Sequence, residues 1–178
     1  HVRLWGRDGA QLADMRSTHQ NRRYLSGIPL NDALDFEADF ERAATDADLH
    51  LVVTPLVGLR NTVRTLRHVA PHVPLLWACK GLEAGSGKLP HEIIAEELGA
   101  EAPCGVLTGP SFAAEVARGL PAAVTLAARE ASFAERWVSV LHQPRLRIYA
   151  NTDVVGCEIG GAVKNVMAIA AGVSDGMG

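Results

Sequence analysis

Basic charge is in short supply in this sequence. Lysine and arginine number 17 against 20 acidic residues, giving a formal net charge of -3. Nucleic-acid binders usually carry a basic face, so no nucleic-acid partner is expected. Local clusters survive a near-neutral total, and a basic pocket for a small phosphorylated ligand stays open. Cysteine is scarce as well. Cys79, Cys104 and Cys157 are odd in number and widely spaced, which argues against a disulfide framework and against a zinc site. Reduced thiols fit a cytoplasmic protein. The seven histidines are scattered. His68 and His72 have i,i+4 spacing, but Pro71 breaks the helix between them and no Glu follows His68, so no metal is expected. No apolar run reaches the roughly 18 residues that span a bilayer, so membrane insertion is not expected. No signal-peptide pattern opens the chain. His1 leads straight into a strand-like run and Gly178 follows closely on a helical pattern, so both ends read as cuts through a longer protein.

What is present is an ordinary globular mixture. The 178 residues are 48% hydrophobic and 21% charged, enough for one domain and the start of another. Residues 1–5 read as a strand and 10–16 as a short helix. Residues 21–30 read as a loop and 36–44 as helical. The β-rich run 49–54 stops at Pro55. Leu56, Leu59, Val63, Leu66 and Ala70 then recur at helical spacing until Pro71. A buried strand is expected over 74–79, a Gly-rich turn over 81–89, and a helix over 90–98 with Pro90 at its first position. Strands follow at 105–108, 122–127 and 146–150, with helices at 111–118 and 132–142. Apolar strands alternating with helices predict an α/β, Rossmann-like doubly wound and mostly parallel sheet. Beyond Asp153 the pattern changes to a small-residue helix over 156–172, with Ile159, Val163, Val166, Met167 and Ala170 on one stripe. The expected division is a nucleotide-binding domain over 1–155 and the first helix of an α-helical domain over 156–178.

Doubly wound sheets bind ligands beyond the carboxyl ends of their strands. That rule singles out Arg7, Pro55, Lys80 and Gly109. Arg7 stands where such folds place a ribose-binding residue; an acid there favours NAD, while Arg accommodates the 2′-phosphate of NADP. A solvated surface Arg is the plainer reading, and the adjacent Asp8 keeps the NAD alternative open. Lys80 either faces the ligand crevice or simply opens a turn. The run Gly109-Pro110-Ser111 joins a strand to a helix; Ser111 either marks an anion or oxygen site at the helix start or is an N-cap. The turn from Gly81 to Lys88 is not a phosphate loop, since five residues separate Gly81 from Gly87 and Leu89 follows the Lys. Lys164 is the sharpest residue. Its helix is small and apolar, and a desolvated Lys becomes a usable general acid or base. The alternative is a Lys that snorkels from a half-buried helix.

Five stretches taken in order carry a resemblance. They are Trp5-Gly-Arg-Asp, Asn21-Arg-Arg-Tyr-Leu-Ser-Gly, Cys79-Lys-Gly-Leu-Glu, Thr108-Gly-Pro-Ser-Phe-Ala-Ala-Glu, and the run from Asp153 through Gly160-Gly-Ala-Val-Lys-Asn to Gly172. Together they resemble the NAD(P)-dependent glycerol-3-phosphate dehydrogenase family of bacterial type, over essentially the whole chain. The resemblance implies interconversion of glycerone phosphate and sn-glycerol 3-phosphate for phospholipid synthesis, with NADP or NAD as cofactor. It implies Lys164 as the catalytic acid/base and a substrate contact, and Lys80 as a contact to both cofactor and substrate. Gly109 and Ser111 would touch substrate; Ala113, Arg7 and Tyr24 would touch cofactor. A homodimer is left open. The family's opening strand and Gly-rich loop, and most of its helical domain, have no counterpart in the sequence, so the chain by itself is expected to be inactive. Two other readings stand beside this one: a related β-hydroxy-acid dehydrogenase, and a non-catalytic binding module of the same fold.

Overall fold

The computed structural model describes residues 1–177, the side chain of residue 165 excepted. Two strands open the chain order, β1 (Val2–Trp5) and β2 (Leu34–Glu37), paired in parallel. Helix α1 (Gly9–Thr18) crosses between them, burying Leu12 and Met15 against Phe36. The helix expected over 36–44 divides in two. Phe36, Phe40 and Ala44 repeat at helical spacing, but Leu34 and Phe36 also alternate with Asp35 and Glu37. Pairing with β1 decides for a strand at the first part, a tertiary override of local pattern. Asp39 then caps α2 (Phe40–Ala44), its carboxylate accepting from the Arg42 backbone N–H at 2.9 Å.

The remaining strands form a second sheet in the order β3-β4-β5-β6-β7. They are β3 (His50–Val52), β4 (Leu75–Trp77), β5 (Cys104–Thr108), β6 (Ala122–Ala127) and β7 (Leu146–Asn151). All neighbours run parallel except β5 and β6. The common dinucleotide-fold order is 3-2-1-4-5-6. Here β1 and β2 pair apart from the run β3-β4-β5, and β1 and β3 are not hydrogen-bonded to each other.

Successive side chains of a strand point to opposite faces, and β4 shows the result. Leu75 and Trp77 join a core with α3 (Leu56–Val69) and α4 (Pro90–Leu98), while Leu76 joins another with α6 (Ala131–Leu141). All three are essentially sealed from solvent. Leu59, Val63 and Leu66 supply the buried stripe of α3, and Trp137 that of α6. The sheet is thus covered on both faces, as a doubly wound fold requires. The chain leaves it on α7 (Val154–Met177), whose start packs on β5, β6 and α4. The apolar stripe of α7 lies open. Val166 and Met167 are more than three-fifths exposed, because the helix runs past the sheet. Among the described residues no single helix is long and apolar enough to cross a membrane.

Candidate active site

Three elements bring two lysines together. Lys80 leaves the carboxyl end of β4 and Gly109 that of β5, and Lys80 Nζ donates to the Gly109 carbonyl at 3.3 Å. Helix α7 lies directly above. A Cβ placed on Gly161 would come within 2.8 Å of Thr108 Oγ1 and 3.7 Å of Lys80 Cγ and Cδ, so a glycine is what lets α7 sit this close. Gly109 is equally constrained: a Cβ there would lie 2.9 Å from Val124 Cα. One turn further along α7, Lys164 projects its ammonium over the Phe112 ring, 4.8 Å from the centroid. Burial pushes Lys80 below the ordinary lysine value, and the nearby charge of Lys164 adds to the effect. Among the described residues neither lysine is paired with a carboxylate. Two cations facing one gap at strand ends favour an anion, or an oxygen on which negative charge develops.

The base of α7 is held by Glu158, a carboxylate only 5% exposed. It accepts from the Trp77 indole N–H at 2.9 Å, from the His91 backbone N–H at 2.9 Å, and pairs with His91 Nδ1 at 2.5 Å. These contacts fix α7 to β4 and to the first turn of α4. The turn beyond Lys80 is fixed as firmly. Glu83 receives both prongs of the Arg60 guanidinium at 2.8 and 2.7 Å, and also the Ser86 hydroxyl.

Ser111 does not cap a helix. The short helix α5 (Ala113–Ala117) begins two residues later with Phe112 at the cap, while the Ser111 backbone N–H turns back to the Gly109 carbonyl at 3.0 Å. Pro110 and the tight return to Gly109 delay the helix. At five residues α5 has little dipole to offer, so any polar contact here would come from Ser111 itself. Ser111 and Ala113 are both exposed beside Gly109.

Arg7 and Tyr24 lie elsewhere, past β1. Arg7 is exposed and without an acidic partner among the described residues. Asp8 is engaged: Oδ1 accepts from the Ala10 and Gln11 backbone N–H groups at 3.1 Å and caps α1, and Oδ2 pairs with Arg23 at 3.4 Å. The Arg23 guanidinium also covers the Tyr24 ring at 5.3 Å. An acid already spent on a helix cap is poorly placed to bind a ribose, which leaves Arg7 as the free group at this strand end. The residues that sequence reading missed are Gly161, Phe112, Glu158 and Arg23. Gly160-Gly161 inside a helix was the one available signal, since glycine there costs stability unless a neighbour needs the space. An open groove of about 390 Å³ lies at the other end of the sheet, bordered by Cys104, Arg129 and Phe133.

Comparison with known proteins adds the decisive observation. Residues 1–134 match the family described as NAD-dependent glycerol-3-phosphate dehydrogenase N-terminus, and residues 153–178 match its C-terminus. The chain belongs to this family. A relative from Aromatoleum aromaticum, a glycerol-3-phosphate dehydrogenase [NAD(P)+], is 67% identical over 99% of the chain and 54% of its own length. One of the same name from Nitrosospira multiformis is 53% identical, over 99% of the chain and 53% of its length. The chain therefore spans about half the length of these relatives. Among solved structures, glycerol-3-phosphate dehydrogenase from Coxiella burnetii superposes with a TM-score of 0.88 at 36% identity, covering 98% of this chain and 54% of that one. A pyrroline-5-carboxylate reductase at 11% identity and TM-score 0.61 shares the fold alone.

Proposed function

We propose that the protein to which this chain belongs reduces glycerone phosphate to sn-glycerol 3-phosphate, and catalyses the reverse, in the cytoplasm. The meeting of Lys80 and Lys164 beside Gly109, in a chain of this family, carries the reading. Residues 1–155 are the nucleotide-binding domain and 156–178 open the helical substrate domain. The cofactor is NADP or NAD, and when bound its nicotinamide supplies or accepts the hydride. Arg7, free at the end of β1, suits a 2′-phosphate; Tyr24, Lys80 and Ala113 complete the cofactor contacts.

Protonated Lys164 gives its proton to the ketone oxygen in reduction, and the neutral amine takes the hydroxyl proton in oxidation. Lys80, Gly109 and Ser111 hold the phosphorylated substrate at the lip of β4 and β5. Lys80 adds positive charge where an alkoxide would develop, which stabilises the negative charge building on the ketone oxygen until Lys164 delivers its proton. No metal is called on, since the two ammonium groups supply the charge. The test is a chain of the relatives' full length, assayed for NADPH oxidation with glycerone phosphate and with a panel of β-hydroxy acids. A rate confined to glycerone phosphate supports the proposal; a rate on the hydroxy acids alone would replace it with the related dehydrogenase.

A further inference from the structure

Among the described residues no acid pairs with Lys164, so another group holds its ammonium in place. Lys80 repels it from the sheet, and Glu158, on the same helix, is occupied by Trp77 and His91. Glu115 of α5 is exposed and makes no ion pair among the described residues. The group that does face the ammonium is the Phe112 ring. Phe112 is 62% exposed and belongs to none of the hydrophobic cores. Nothing in the packing calls for an aromatic at this position, and N-cap positions favour short polar side chains that bond the helix start, which Phe112 does not do.

We propose that Phe112 is a positioning residue for Lys164, its ring face holding the ammonium over the strand ends beside Gly109. The negative face of an aromatic ring attracts a cation without neutralising it. A carboxylate in the same place would pair with Lys164 and repel a phosphate or a developing alkoxide. A ring restrains the ammonium while leaving the net charge of the gap at two positive, which is what an anionic substrate needs. The same contact explains why the segment between Gly109 and α5 is turned toward α7: Pro110 and the Ser111-to-Gly109 bond present residue 112 to the helix. The inference rests on the reading of Lys164 as the acid/base.

Two measurements test it. In this chain, the ε-methylene protons of Lys164, assigned by their loss in Lys164→Arg, should resonate upfield of the other lysines because of the Phe112 ring current. Phe112→Leu should abolish the displacement and Phe112→Tyr should keep it. Because the residue is exposed, the amide spectrum elsewhere should stay unchanged in both variants. In the full-length enzyme, Phe112→Leu should lower kcat by roughly two- to thirtyfold, the fold equivalent of a cation–π contact, with KM for the cofactor unaltered. Phe112→Tyr should restore most of that loss. An ε-methylene signal at the ordinary position would overturn the contact, and a wild-type kcat in Phe112→Leu would overturn its role. Full activity in Lys164→Ala would instead overturn the acid/base reading, with the spectral contact still standing.

Discussion

Two charged clusters stand on either side of the turn that follows β4, and they are built on opposite rules. On one side Arg60, Arg64 and Lys88 meet Glu83, Glu96 and Glu97, three cations against three anions. Arg60 alone reaches all three acids, and Arg64 grips Glu97 with two nitrogens, the closer at 2.7 Å. On the other side Lys80 and Lys164 face each other with an aromatic ring and a carbonyl for company. The matched cluster ties α3, α4 and the Gly-rich turn together and has no valence left for a ligand. The unmatched one is electrostatically incomplete, and a protein tolerates that where something arrives to complete it. Lys80 and Glu83 are three residues apart, so the matched cluster steadies the turn from which the unmatched one projects.

The contrast is broken most severely at Lys164. In the full-length enzyme Lys164→Ala should lower turnover by a factor on the order of 10² to 10⁴, the span typical of losing a general acid/base. Lys164→Arg should not restore it, because a guanidinium keeps its charge but does not release its proton at a working pH. Cofactor affinity should change little in either variant. Steady-state rates with glycerone phosphate and NADPH check this, and near-normal turnover in Lys164→Ala would make the unmatched cluster a structural accident.

Glu158 sharpens the comparison from a third direction, as a buried acid matched mainly by neutral donors. Glu158→Leu keeps the bulk but removes the oxygen that the Trp77 indole N–H and the His91 backbone N–H share, leaving those donors without a partner. The expected loss is about 1 to 3 kcal/mol of stability, the usual cost of an unsatisfied buried polar group. Urea unfolding of this chain measures it, and an unchanged midpoint would mean that α7 is held by its apolar contacts alone.

Arg7 is the outlying member of the unmatched class. Arg7→Ala in the full-length enzyme should raise KM for NADPH by roughly fivefold or less, the worth of an exposed ion pair, and leave NADH unaffected. Equal effects on the two cofactors would remove Arg7 from 2′-phosphate recognition.

Much of the fold is legible in the sequence. Pro90 and Leu98 bound α4 as its punctuation predicts, and the spacing of Leu59, Val63 and Leu66 marks the buried face of α3. Lys80, Gly109 and Lys164 were each legible singly, from strand ends and from a lysine among small residues. Their meeting was not, because it depends on where α7 crosses β5, and a sequence records that only as a glycine at 161. The division of 36–44 was hidden by apolar residues that satisfy both periods, and partnership with β1 settles it. Asp8 is legible in the sequence as a candidate ribose group; that its carboxylate caps α1 depends on the direction the helix takes.

The smallest effect belongs to the matched cluster itself, at Glu83. Glu83→Gln keeps an acceptor for Arg60, and Arg60 keeps Glu96 and Glu97, so stability at neutral pH should fall only slightly. The sign of its pH dependence is the informative part. Hydrogen bonds from Arg60, and then from Ser86, hold the Glu83 carboxyl down at about 2, against an ordinary 4.5. Glu97 is held at about 2 as well, first by Arg64 and then by Arg60. A carboxylate depressed in the folded state contributes stability that is fully present above its unfolded value. That contribution is lost as the pH falls through the window from 4.5 toward 2. Glutamine does not titrate, so Glu83→Gln should start slightly less stable at neutral pH and then lose less on acidification. The two urea midpoints should therefore converge as the pH is lowered. Parallel curves would show that Glu83 is no better stabilised in the folded chain than in the unfolded one. The matched cluster would then reduce to Arg60, Arg64, Lys88, Glu96 and Glu97, with the turn that carries Lys80 tied to it through Lys88 alone.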